Sequence, residues 1–225
     1  WEKHIDLEKA LLYYQKIEKI INKKIIKPIK QLRQLQTNDT LNYYKKKKNS
    51  SPYTYYLKDQ VNHKTYSELT NTKHPLITVD HSYQVDTQTL LKKSHDYFQK
   101  QSILIEGRFH HDQLKIADTH IDYTDIKAKN IVFCEGHQAT QNPLWKDLNW
   151  ENAKGNVITF QSQSLQQHFY NLGKWMAPTP DNQFKCGSTT EWDWTSCICS
   201  KENYTTLTQF LTDTISKDYT VTAIN

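Results

Sequence analysis

The run Asn130-Ile131-Val132-Phe133-Cys134-Glu135-Gly136 constrains the fold of this chain more than any other stretch. A short apolar run that ends in a small residue and a glycine reads as a buried strand whose tip brings backbone close to a ligand, because glycine lacks the Cβ that would block the approach. Lys154-Gly155 and Gly187-Ser188-Thr189-Thr190-Glu191 repeat the theme further along. Taken singly, each of these glycines reads first as a strand terminator.

The periodicity around these motifs sets the fold class. Apolar residues recur at Leu7, Leu11, Tyr14, Ile17 and Ile21, which paints one stripe on a helix over residues 5–24, with lysines on the other face. Pro28 cannot continue the hydrogen-bond ladder, so the helix stops near residues 24–27. A second, shorter helix is expected over 38–47, and the mixed signals of 49–75 say little. Asp86 is the expected N-cap of a helix over 87–99, where Leu90, Leu91, Ser94, Tyr97 and Phe98 keep helical spacing. Strand-like runs follow at 102–106, 109–116, 120–123 and 130–135, with one wet face suggested by Ile121-Asp122-Tyr123. Further strands are expected over 154–161 and 167–190, the latter folded at a Pro180-Asp181-Asn182 turn. A last helix over 200–215 places Tyr204, Leu207, Phe210, Leu211 and Ile215 on one side, and a final strand covers 219–224. Helices first, then mostly strands, then helix and strand argue for an α+β arrangement.

At 225 residues the chain makes one large domain or two small ones. Its hydrophobic content of 36% and mean hydropathy of −0.82 are low for that length. We read them as a core completed by something outside the sequence. The chain also begins at Trp1 and has Met176 as its single methionine, so an excerpt of a longer polypeptide is expected.

The net charge of +5 comes almost entirely from lysine, since Arg33 and Arg108 are the only arginines. Nucleic-acid readers lean on arginine for bidentate contacts, so this basicity argues against such a partner. The block Lys45-Lys46-Lys47-Lys48 reads as a solvated helix end. No apolar run approaches the roughly 20 residues that cross a bilayer, and the visible start lacks a signal-peptide pattern. Four cysteines without C-x-x-C spacing point to reduced thiols rather than a metal site or a disulfide scaffold, which fits a cytoplasmic protein. His110-His111-Asp112 reads as structural or solvated.

The ordered motifs resemble the D-amino-acid oxidase and glycine oxidase group of FAD-dependent oxidoreductases, most clearly from Ser82 to Asp193 and more faintly from Trp1 to Leu35. Tyr83-Gln84-Val85-Asp86 matches the stretch that opens a helix in that group. The run ending at Gly136 matches the strand that passes the flavin, and Lys154-Gly155-Asn156-Val157-Ile158 matches the basic residue and glycine that start the next strand. Trp175-Met176-Ala177-Pro178 and then Gly187-Ser188-Thr189-Thr190-Glu191 complete the series in order and spacing.

The resemblance implies oxidation of a C–N bond of an amino acid or small amine by hydride transfer to FAD, with the protein mainly orienting the substrate and excluding water. Cys134, Glu135 and Gly136 would present backbone to the cofactor, and Arg108 and Phe109 would lie beside its adenine. Trp175 and Met176 would wall the substrate pocket, and Arg33 would pair with a substrate carboxylate. No residue is singled out as a catalytic acid or base.

The implied architecture is a mixed or antiparallel substrate-binding sheet flanked by helices, joined to one or more strands of an incomplete Rossmann-like FAD domain. Residues 1–80 would lead helically into the substrate domain. Residues 81–140 would supply a helix and strands to the FAD half, and 141–225 the antiparallel substrate sheet and last helix. Two features of the group have no match. There is no G-x-G-x-x-G, the five glycines being scattered singly, and no Gly-x-Arg-Pro segment follows Ile198. Trp1 would thus enter just after the nucleotide-binding unit and Asn225 stop just before the closing segment. Two alternatives stand beside the oxidase: a binding module that keeps the fold without the cofactor, and a tRNA-modifying flavin enzyme that uses the lysines.

Overall fold

A computed structural model describes residues 6–71, 73–192, 194–215 and 218–224. The expected helix start at Ile5, the chain ends at Trp1 and Asn225, and Asp193 lie outside the described residues.

The first amphipathic stripe forms α1 (Leu7–Ile21), with the Asp6 carboxylate accepting from the Lys9 N–H at 3.1 Å. It ends earlier than Pro28 requires, because Asn22 takes the left-handed conformation at φ 51° and its N–H bonds the Glu18 carbonyl. Pro28 instead lies in β1 (Ile26–Pro28). After it come β2 (Gln31–Gln34), α2 (Asn38–Lys48), β3 (Leu57–Val61), β4 (Leu76–Val79) and β5 (Tyr83–Val85). The Thr37 and Thr40 side chains close a reciprocal capping box at the start of α2. Asp86 caps α3 (Thr87–Lys100) as expected, accepting from the Thr89 N–H at 3.0 Å.

A three-stranded antiparallel meander follows: β6 (Leu114–Ile116), β7 (Ile121–Tyr123) and β8 (Ile126–Ala128). The chain then supplies β9 (Val157–Ser162), β10 (Phe169–Asn171), β11 (Trp175–Pro178), β12 (Phe184–Gly187), α4 (Lys201–Thr214) and β13 (Tyr219–Ile224). The large sheet has eight strands in the order β13-β9-β12-β11-β10-β2-β4-β3. Among the described residues only β10 and β2 pair in parallel, so the sheet is mixed and the fold is α+β. β3 lies in the 49–75 stretch whose local signals are weakest, and no strand was expected at β2 or β4. Leu76–Val79 is buried at every position, so it lacks the alternation that marks a strand with one wet face.

One face of this sheet is sealed. Leu207, Leu211 and Ile215 of the α4 stripe pack on Leu32, Tyr170, Met176, Cys186, Ile158, Phe160 and Phe184. These strand residues are cross-strand partners: Leu32 opposite Tyr170, Tyr170 opposite Met176, Met176 opposite Cys186, Cys186 opposite Ile158. A smaller core of Leu35, Tyr44, Leu57, Ile77 and Val79 lies on the other face, where α2 covers only the β3–β4 end.

Two expected strands need correction. Residues 102–106 and 130–135 join no sheet among the described residues. Several of their apolar side chains stand in solvent, with Ile103 65%, Ile105 74% and Val132 82% exposed, while Leu104, Ile131 and Phe133 are half-buried. A strand exists only where a neighbour accepts its ladder, and neither run has such a neighbour among the described residues. The run expected over 109–116 is also shorter, since His111–Gln113 makes a 3-10 turn and only Leu114–Ile116 pairs.

Candidate functional site

The uncovered part of the sheet carries one row of registered side chains. Arg33 on β2 lies opposite Asn171 on β10, Asn171 opposite Trp175 on β11, Trp175 opposite Gly187 on β12, and Gly187 opposite Val157 on β9. Registered partners point to the same face, and strands lie about 4.8 Å apart, so Arg33 and Trp175 stand on the order of 10 Å apart across Asn171. Arg33, Asn171, Trp175 and Val157 are each half-buried. Partial burial lowers the Arg33 pKa from its ordinary value, yet a guanidinium remains cationic throughout the physiological range.

Gly187 makes room for the indole. A Cβ there would sit 3.0 Å from Trp175 Cζ2 and 2.9 Å from Val157 Cγ2. Trp175 therefore lies across the glycine and forms part of the floor of the row. Met176, expected beside Trp175 in the pocket, points the other way and is fully buried under α4. Adjacent strand residues alternate faces, so Trp175 and Met176 cannot line one pocket.

The two later glycine motifs meet each other. Lys154 and Glu191 exchange backbone hydrogen bonds of 2.8 Å in both directions, and Lys154 Nζ lies 3.0 Å from Glu191 Oε2. The same ammonium donates to the carbonyls of Ser196 and Ile198 at 2.9 and 3.2 Å, which ties down the loop after β12. The Thr189 hydroxyl accepts from the buried Asn156 N–H at 3.0 Å, and Asn203 of α4 donates to Glu191 Oε2 at 2.9 Å. Gly155 is required for backbone approach, since a Cβ would meet the Thr189 carbonyl at 2.9 Å. The spacing of these motifs was legible in the sequence, but this mutual role was not.

The remaining expected cofactor residues gather around the meander. Arg108 and Phe109 line a cleft of about 320 Å³ with Ile105, Ile121, Tyr123 and Ile131. The Phe109 and Tyr123 rings stack at 4.3 Å, and the Tyr123 hydroxyl accepts from the His110 N–H. Phe133 meets Phe109 edge-on at 5.7 Å and Trp145 edge-on at 6.0 Å, giving the residue 130–136 run an aromatic anchor in place of a ladder. At its tip Cys134 is exposed, and Gly136 holds φ +58° with open space where a Cβ would stand. The His137 ring approaches the Trp194 ring at 5.9 Å, which links this tip to the loop after β12.

Sequence reasoning missed the role of His111. Its imidazole faces Glu135 with Nε2 and Oε1 3.5 Å apart, and Asn142 Nδ2 donates to the other carboxylate oxygen at 2.8 Å. No local pattern announces a contact between residues 24 positions apart. Among the described residues there is no cluster of His, Cys, Asp or Glu able to hold a metal ion, and no helix long and apolar enough to cross a membrane.

A sealed sheet face under one helix, an uncovered face with a guanidinium and an indole in one row, and a glycine tip beside an aromatic meander define the architecture. It is the fold of the D-amino-acid oxidase and glycine oxidase group of FAD-dependent oxidoreductases. Glycine oxidase from Bacillus cereus ATCC 14579 is similar at a TM-score of 0.76 with 12% identity, covering 97% of this chain and 64% of that one. Iminodiacetate oxidase from Chelativorans sp. BNC1 matches at 0.71 and 13%, covering 97% and 65%. L-alpha-glycerophosphate oxidase from Mycoplasma pneumoniae, whose structure has FAD bound, matches at 0.69 and 14%, covering 89% and 60%. The chain thus spans less than two thirds of the length of these proteins. No family model matches the sequence.

Proposed function

We propose that these residues form the substrate-binding sheet and part of the flavin half of a FAD-dependent oxidoreductase that oxidises a C–N bond of an amino acid or small amine. The observation that carries this reading is the uncovered sheet face. α4, with Tyr66, Leu69 and Leu165, packs over one side, whereas Arg33, Asn171 and Trp175 remain half-buried in one row on the other, an arrangement suited to a flat ring above and an anionic substrate between. Arg33 holds the substrate carboxylate, and Trp175 walls the pocket and excludes water.

Cys134, Glu135, Gly136, Arg108 and Phe109 fit one edge of the cofactor, because the tip is open and the adjoining cleft is apolar with stacked rings. The pyrophosphate has no cradle here, since no G-x-G-x-x-G turn occurs in the 225 residues. In this reading a nucleotide-binding unit outside the sequence supplies that cradle and pairs with residues 102–106 and 130–135, covering the exposed Ile103, Ile105 and Val132. When bound, FAD supplies the hydride acceptor; the residues described here orient the substrate carbon and shield it from water.

An absorbance spectrum of the protein expressed from its complete reading frame tests the class. Flavin bands that bleach on anaerobic addition of an amino acid are expected. A well-folded protein without them leaves the binding-module reading in possession. The 225-residue chain alone is expected to retain no FAD, and a stoichiometric yellow complex would contradict that.

Arg33→Met keeps the length of the side chain and removes its charge. For an amino-acid substrate it is expected to raise KM on the order of 10- to 100-fold, from the loss of charge-assisted hydrogen bonds, with a smaller change in kcat. An unchanged KM removes Arg33 from the site.

A further inference from the structure

Glu135 sits directly before the glycine of the tip, yet its carboxylate is turned toward protein. Asn142 Nδ2 donates to Oε2 at 2.8 Å, and Asn142 itself is only 1% exposed. The Asn142 side-chain oxygen accepts from the Leu144 N–H at 2.9 Å, so its amide is fixed in orientation by a turn of its own. On the opposite side His111 Nε2 lies 3.5 Å from Oε1, long for a hydrogen bond but facing the carboxylate directly.

His111 Nδ1 is buried without a partner. The tautomer with its hydrogen on Nε2 suits this environment, because it aims a donor at Glu135 and leaves only a lone pair unpaired at Nδ1. The imidazole packs beside both Phe109 and Phe133, with ring centroids 5.2 and 5.9 Å away. The 3-10 turn Gly136–Gln141 that starts at the tip has no side-chain cap of its own. The Glu135 carboxylate therefore joins three separate pieces: the tip, the far end of that turn, and the entrance to the meander.

Building on the flavin reading above, we propose that Glu135 is a positioning residue: held by Asn142 and faced by His111, its side chain fixes the Cys134-Glu135-Gly136 backbone in the conformation that meets the cofactor. The residue 130–135 run has no ladder among the described residues, so its tip depends on side-chain anchors. Phe133 anchors the apolar side and Glu135 the polar side.

The test uses Glu135→Ala, Glu135→Gln and Asn142→Asp in the protein expressed from its complete reading frame. It reads hydrogen exchange of the amides of residues 133–142 and the Kd of the apoprotein for FAD. Glu135→Ala is expected to speed exchange and weaken FAD binding by about tenfold each, as the Asn142 hydrogen bond and the contact with His111 are lost. Glu135→Gln restores both to within about threefold of wild type, since its amide oxygen still accepts from Asn142. Asn142→Asp sets two carboxylates face to face and behaves like Glu135→Ala, which carries the comparison if the alanine variant does not fold. Wild-type exchange in Glu135→Ala, or Glu135→Gln no better than alanine, overturns the assignment. Wild-type protein that takes up no FAD overturns the flavin reading itself, whereas normal FAD uptake left unaffected by Glu135→Ala overturns only the role of Glu135.

Discussion

Replacing Phe160 with alanine lowers the unfolding free energy by about 3–5 kcal/mol, the range for an aromatic side chain deleted from a packed core. Phe160 has no exposed surface and lies on β9, the strand that joins the edge strand β13 to the rest of the large sheet. Its ring stacks on Phe184 at 5.6 Å and meets Tyr219 edge-on at 6.2 Å. It is also the registered partner of both Phe184 and Val221. The cavity left by alanine would remove contacts to two neighbouring strands at once, β12 and β13, and little nearby can collapse into it because α4 closes that face. Urea unfolding followed by circular dichroism measures the loss. A midpoint shift at constant slope is expected, and a change below about 1 kcal/mol would contradict the packing described.

Glu18→Ala is the second large effect, expected at about 2–4 kcal/mol from the buried donors it leaves unsatisfied. Glu18 is 5% exposed at the end of α1. Its Oε1 accepts from the N–H groups of Ile25 and Ile26 at 2.8 and 3.1 Å, and Lys24 Nζ reaches Oε2 at 2.9 Å. The carboxylate thus closes the turn between α1 and β1. Lys24 is well exposed, so the ion pair adds little and the two backbone donors carry the effect. Burial pushes the Glu18 pKa up, but those two donors and Lys24 together outweigh it and hold the group below its ordinary value.

A depressed folded-state pKa gives stability that is fully present above the unfolded value, about 4.3, and is lost as pH falls through the folded value. Glu18→Gln keeps one oxygen for Ile25 and Ile26 and is expected to cost less than alanine at neutral pH. The gap between wild type and Glu18→Gln should narrow below about pH 4.3. Parallel stability curves from pH 7 to pH 3 would show that this carboxylate contributes nothing through its charge.

Both effects concern features whose legibility in sequence differs. The stripe of α1, the Asp86 cap of α3, the Pro180-Asp181-Asn182 turn and the stripe of α4 were all readable, because a helix or tight turn is decided within a few residues. β2 and β4 were not, since their partners lie far along the chain and β4, buried throughout, has no alternating pattern. Residues 102–106 and 130–135 have strand-like sequences without ladders, which shows that apolar pattern alone does not make a strand. At the candidate site, Trp175 and Arg33 were identified from motif position, and the structure groups them in one row. Met176 was drawn in by adjacency and sits on the opposite face, because the strand period of two separates neighbours that a motif lists together.

By itself the sequence determined the local elements, the α+β class and the order of the glycine motifs, because propensity, capping and turn chemistry act between residues close along the chain. The tertiary structure alone decided which face α4 seals, that Lys154 and Glu191 clasp each other, and that His111 and Asn142 converge on Glu135. Those arrangements depend on strand register and on contacts between distant residues, which are fixed only when the sheet closes and its buried polar groups find partners.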